Sequence, residues 1–146
     1  MTLIAGIDTY CTLSEALDYF TNRSLSLAEW TAIEDDTKEI VLRMACQKLE
    51  NEYYISSKVD SEQELQFPRI DIGTPQDVKD AQSELALYLY QNKDNKVLNA
   101  KEMGLGSLSF GNESYIFTSG GAITNIMSIR VGELLNKWLK KSFKVV

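Results

Sequence analysis

Apolar positions recur at helical spacing in several stretches of the chain. Thr12-x-x-Glu15 has the spacing of a capping box, in which hydroxyl and carboxylate satisfy the free amide donors of a helix start. It predicts a helix from Thr12 to about Phe20 that buries Ala16, Leu17 and Phe20. Ser26-x-x-Glu29 repeats the spacing and predicts a short helix carrying Leu27 and Trp30. Asp36 reads as the cap of a long helix ending near Asn51. Ile33, Ile40, Val41, Met44, Ala45 and Leu49 recur there at three- and four-residue steps and so share a face. Asp35, Asp36 and Glu39 sit where the helix dipole is positive.

From Tyr53 to Thr74 the periodicity fails. Ser56 to Ser61 is polar and loop-like, and Leu65-Gln66-Phe67-Pro68-Arg69 reads as extended, since a residue before proline is pushed out of helical angles. Thr74 suits an N-cap and Pro75 the first helical position, where a missing N–H costs nothing. In the helix predicted from Pro75 to about Gln91, Val78, Ala81, Leu85 and Leu89 form an inner stripe. Ala86, Leu87, Tyr88 and Tyr90 add apolar surface around the remaining girth. Such a helix is either central in a bundle or packed against another subunit.

After a charged connector, Asn92 to Asn99, Leu108 and Phe110 alternate with small polar residues. Gly111-Asn112 is a turn signal that lets Tyr115 to Phe117 pair back as a hairpin. A last helix is predicted from about Thr124 to Lys141. Met127, Val131, Leu134, Leu135 and Trp138 lie on one arc of it, with Arg130, Lys137, Lys140 and Lys141 on a neighbouring arc. The expected fold is mainly α: a small helical bundle with an extended loop and a β-hairpin-like insertion before the C-terminal helix. A chain of 146 residues suits one domain, 1–146, with a helical core of about 12–91 plus 124–141 and an extension over 92–122.

Charge adds a polarity to this picture. Net charge is −6, yet residues 1–64 hold 13 acids against 5 bases, and residues 123–146 hold Glu133 against Arg130, Lys137, Lys140, Lys141 and Lys144. Opposite ends of opposite sign allow head-to-tail docking of copies; two solvated faces are the plainer reading. Apolar residues at 44% and charged residues at 25% exclude wholesale disorder. Met1 to Ile7 lacks the basic start of a signal peptide, and no apolar run approaches the ~20 residues that span a bilayer. The expectation is a cytosol-like compartment and no membrane partner. Cys11 and Cys46 fall in apolar patterns and read as buried free thiols, with a disulfide left open.

Catalytic chemistry finds little support. The chain has no histidine, so the commonest general base is missing, and no metal-ligand spacing occurs. Gly104-x-Gly106 lacks the rest of a dinucleotide fingerprint, and the acids around Asp36 lack the glycine turn of a calcium loop. Asp71 and Asp77 read as capping or solvated. The expectation is a non-enzyme without metal or cofactor. Basic residues with aromatic Trp138 among them allow phosphate binding and base stacking. Against that stand the acidity of the chain as a whole and the place of Trp138 on the apolar arc.

The order of these elements carries a resemblance. Glu15-Ala16-x-x-Tyr19, the Trp30 segment, the Lys38 to Leu49 helix, Leu65-x-Phe67-Pro68-Arg69, and Ala81-x-x-Glu84-Leu85-Ala86 follow in turn. Over roughly residues 8–92 the chain resembles the small head–tail adaptor proteins of tailed bacteriophages. Relatives of these carry the labels head-completion, connector or DnaT-like single-stranded-DNA-binding protein. After Asn92 the sequence departs from that pattern. The resemblance implies a helical bundle at the virion neck, assembled in the host cytoplasm. It implies a ring of about a dozen copies, with portal protein on one side and tail or stopper proteins on the other. It further implies that genomic DNA passes through the channel without sequence-specific binding. The alternative it implies is a single-stranded-DNA-binding protein of phage replication. Expected interface residues are Arg69, Tyr88 and Tyr90 on the bundle, and Phe110, Tyr115 and Phe117 on the hairpin. Arg130, Lys137, Lys140, Lys141 and Lys144 complete the set at the basic end, and Arg69 is expected to pair with Asp71 or with an acid of a neighbour.

Overall fold

The computed structural model describes residues 2–94, 107–110, 113–116 and 128–140, the segments 107–110 and 113–116 by their backbone. It is mainly helical. In chain order come α1 (Leu13–Asn22), α2 (Leu27–Thr31), α3 (Asp35–Glu50), α4 (Gln76–Gln91), β1 (Ser107–Phe110), β2 (Glu113–Ile116) and α5 (Ile129–Leu135).

The Thr12 capping box forms as expected: Glu15 N–H donates to Thr12 Oγ1 at 3.1 Å and Thr12 N–H to Glu15 Oε1 at 3.2 Å. α1 then buries Ala16, Tyr19 and Phe20, while Leu17 is exposed, contrary to expectation. The inward arc of α1 runs along Ala16, Tyr19 and Phe20, and Leu17 falls beside it. Phe20 stacks on the Trp30 ring of α2 with centroids 4.7 Å apart. Ser26 makes no capping bond, because its backbone (φ −101°, ψ 25°) lies outside the extended region that a capping side chain needs.

α3 starts one residue before the expected cap, with Glu34 in the N-cap position. Its buried face is Val41, Leu42, Ala45, Cys46 and Leu49. Ile40 and Met44 face outward, so the expected stripe was turned by about one residue. Leu42 and Cys46 take the inner places because α4 covers that side. Pro75, not Thr74, is the N-cap of α4; its extended ψ of 146° delays the first helical residue to Gln76.

α4 is the central element, packed against α1, α3 and α5. Val78, Ala81, Leu85, Ala86 and Leu87 are buried on it, with Leu89 partly so, and three polar side chains, Asp80, Gln82 and Ser83, are buried beside them. Gln82 ties the N-terminal segment to the bundle. Its Oε1 accepts from Tyr10 N–H at 3.0 Å and Cys11 N–H at 3.2 Å. Its Nε2 donates to Thr9 Oγ1 at 2.7 Å and to the Leu42 carbonyl at 2.8 Å. Asp80 is held by a two-pronged pair with Arg23, at 3.0 Å for each contact. Both cysteines are buried free thiols, as the apolar patterns suggested.

The expected hairpin is present: β1 and β2 pair antiparallel, with Phe110 opposite Glu113 across the Gly111-Asn112 turn positions. α5 is shorter than expected at both ends. Ser128 is extended (φ −125°, ψ 138°), so the helix opens at Ile129. It closes at Leu135 because the chain beyond it leaves helical pairing to join another segment. Val131 and Leu135 are buried, Leu134 and Trp138 pack partly against the core, and Met127 lies outside the described residues.

Candidate nucleic-acid interface

The two segments that meet at the end of α5 are far apart in sequence. Residues 138–140 run antiparallel to residues 53–55: Ile55 N–H donates to the Trp138 carbonyl at 3.0 Å, and Lys140 N–H to the Tyr53 carbonyl at 2.8 Å. Tyr54 and Leu139 form the bridge between them. Trp138 is latched to α4 by its indole, whose Nε1 donates to Asp77 Oδ2 at 3.0 Å. This explains the half-buried Trp138 and gives Asp77, expected to be capping or solvated, a side-chain partner. Lys137 and Lys140 remain exposed on this strap, with the Lys137 ammonium 5.1 Å from the Trp138 ring centroid. Arg130, near the opposite end of α5, pairs with Glu133 at 3.7 Å.

A groove of about 380 Å³ opens beside this junction, lined by Glu52, Tyr53, Tyr54, Ile55, Ser56, Gln66, Arg69 and Lys140. Of these, Arg69 is only 8% exposed. The expected pairing of Arg69 with Asp71 is not made. All five N–H groups are turned instead to neutral oxygens: Nε to the Ile55 carbonyl at 2.8 Å, Nη1 to the Gln66 carbonyl and Oε1, Nη2 to the Ser56 carbonyl at 2.6 Å and the Tyr54 carbonyl at 3.4 Å. The reason is geometric. The loop 54–70 folds its carbonyls around the guanidinium, and Asp71 turns away with a left-handed φ of 65°. Ser56 sits in the same strained region (φ 68°), held there by its bond to Arg69. Arg69 therefore stabilises the loop and lends positive charge, with no donor left for a partner.

A second, more open groove lies at the other end of α5, between Arg23, Leu25, Tyr19, Glu84 and Arg130. Tyr19 donates to Glu84 Oε2 at 2.8 Å, and burial together with this bond pushes its pKa up to about 12. Arg23 is already committed to Asp80 and Asp18, so this groove is not a concentrated positive site.

The remaining expected interface residues are dispersed. Tyr88 and Tyr90 are half-buried against the core, with the Lys93 ammonium 4.3 Å from the Tyr90 centroid. Phe110 and Tyr115 belong to the hairpin strands, while Phe117, Lys141 and Lys144 lie outside the described residues. Tyr53 was missed by sequence reasoning. Its signal was the Tyr53-Tyr54 pair just past α3, where an extended backbone can turn only one of two neighbouring rings inward.

Residues 2–104 match the model of the family described as "Putative DnaT-like ssDNA binding protein". The chain belongs to this DnaT-like family. The match takes in α1 to α4 and the 53–69 side of the groove, and stops short of β1 and the α5 strap. It carries one of the labels that the resemblance implied, and gives no support to the adaptor label. No curated protein and no solved structure matches the chain. No helix among the described residues is long and apolar enough to cross a membrane. Among the same residues, no three His, Cys, Asp or Glu side chains gather to hold a metal ion.

Proposed function

We propose that this DnaT-like chain binds single-stranded nucleic acid along the strip formed by the α5 strap and the Tyr53–Arg69 groove. The observation that carries the reading is the docking of the strap on residues 53–55. It brings exposed Lys140 to the groove that Arg69 also lines, with exposed Lys137 three residues before it on the strap, so cations gather there in an acidic chain. Phosphates are held by such cations. The family description supports the same reading. The test is fluorescence anisotropy with a labelled oligodeoxythymidylate at low salt. Binding that weakens with salt and is lost in K137E/K140E supports the proposal, and no binding at low salt rejects it.

A second reading, a non-enzymatic head–tail adaptor subunit at the virion neck, is supported by a different observation. Leu25 is fully exposed, Ile129 is 84% exposed, and Ile40 and Met44 face outward on α3 beside its acidic start. Apolar side chains next to charges of opposite sign suit a heterologous joint between copies in a ring, with portal and tail proteins on either side. A chain that stays monomeric by light scattering, alone and with portal protein, counts against it.

A further inference from the structure

Tyr53 and Tyr54 are neighbours with opposite environments. The backbone is extended where it pairs with residues 138–140, so their rings point to opposite faces. Tyr54 is 3% exposed, meets Phe67 edge-on at 4.7 Å between centroids, and donates its hydroxyl to the Leu49 carbonyl at 2.7 Å. Tyr53 is 80% exposed and has the groove beside it. An aromatic ring left in water forfeits the burial energy that rings of its size normally contribute. The groove's volume of about 380 Å³ falls within the ~300–1,000 Å³ of small-molecule clefts. Lys140 and Arg69 are among its lining residues, and Glu52 is the single acid there. A site for phosphate alone needs no ring. An exposed π-face and cationic side chains around one groove match one unstacked nucleotide, base on the ring and phosphate on the lysine.

We propose that Tyr53 is a stacking platform for an unpaired nucleobase, and that Lys140 holds the adjoining phosphate. This rests on the reading that the chain binds single-stranded nucleic acid. It adds a basis for selectivity, because bases in a duplex have their π-faces covered and cannot reach the ring.

The experiment compares an oligodeoxythymidylate with an abasic strand of equal length and charge, and with a duplex, on the full chain. The wild type binds oligodeoxythymidylate more tightly than either. Y53A lowers its affinity for oligodeoxythymidylate by about 5- to 150-fold, the range that base–aromatic stacking spans, and leaves affinity for the abasic strand and the salt slope unchanged. Y53W keeps the preference. The exposed position of Tyr53 lets Y53A fold, which thermal unfolding verifies. Equal binding of oligodeoxythymidylate and the abasic strand by the wild type overturns the stacking platform and leaves the single-strand reading standing, as does a Y53A variant that binds like the wild type. Absence of binding to every strand at low salt overturns both.

Discussion

Replacing Gln82 with leucine tests the packing logic of the whole domain. The substitution keeps the side chain's approximate volume, so it leaves little cavity, and it removes four hydrogen bonds in a fully buried place. Thr9 Oγ1 keeps its own acceptor, the Cys11 carbonyl at 2.6 Å. The backbone N–H groups of Tyr10 and Cys11 lose the acceptor that satisfies them. An orphaned buried donor costs about 1–3 kcal/mol, so the pair costs about 4 kcal/mol, a large part of the ~5–15 kcal/mol that holds a domain folded. With a urea m-value of about 2 kcal/mol/M, the unfolding midpoint drops by about 2 M. The assay is urea unfolding followed by tryptophan fluorescence, since Trp30 is fully buried against Phe20. A loss below about 1 kcal/mol refutes the reasoning, because it means water or rearranged backbone satisfies those donors without the amide. Gln82→Glu discriminates further: it keeps the acceptor for both N–H groups and fails at the donor end, toward Thr9 Oγ1 and Leu42, so its effect falls on the other half of the network.

Further expectations follow from other buried groups. Arg69→Lys cannot reproduce a planar fork on five oxygens, so it destabilises by about 2–4 kcal/mol, and hydrogen exchange of residues 54–70 accelerates before that of α3. Arg23→Ala leaves the buried Asp80 carboxylate with Gln76 Nε2 alone at 2.9 Å, at a cost of about 2–3 kcal/mol that Asp80→Asn in the same chain partly restores in a double-mutant cycle. Burial pushes the Cys11 and Cys46 thiols up to about 12 from an ordinary 9, so neither reacts with a thiol reagent in the native state at pH 8. Between pH 9 and 12 the unfolded chain releases thiol protons that the folded chain retains, so stability falls as pH rises, by up to ~1.4 kcal/mol per pH unit per thiol. Denaturant unfolding across that pH range, compared with C11A/C46A, isolates the thiol share from that of the tyrosines, whose ionisation burial also pushes up.

The helical frame was legible because helix formation here follows local rules. The Thr12 capping box, the proline before α4 and the pairing of β1 with β2 each act within a few residues. What escaped was decided by tertiary context. Counting apolar positions around α4 left two places open, the centre of the bundle or a subunit contact, and could not reveal that Asp80, Gln82 and Ser83 are buried too, since their partners Arg23, Thr9 to Cys11 and Leu42 come from elsewhere in the chain. The outward turn of Ile40 and Met44 depends on which side of α3 meets α4. Arg69 was matched to the nearest acid in sequence, whereas a folded loop offered it carbonyls. The candidate site was the least legible of all, because it exists only where residues 53–55 meet residues 138–140.

The most direct measurement is the salt dependence of binding to an oligodeoxythymidylate. Two phosphate contacts, from Lys137 and Lys140, give a log–log slope of about −1.4 at ~0.7 per phosphate on single strands. The reading predicts that slope for the wild type and its collapse toward zero in K137E/K140E. No measurable binding at low salt, or binding indifferent to salt and to those two lysines, contradicts it.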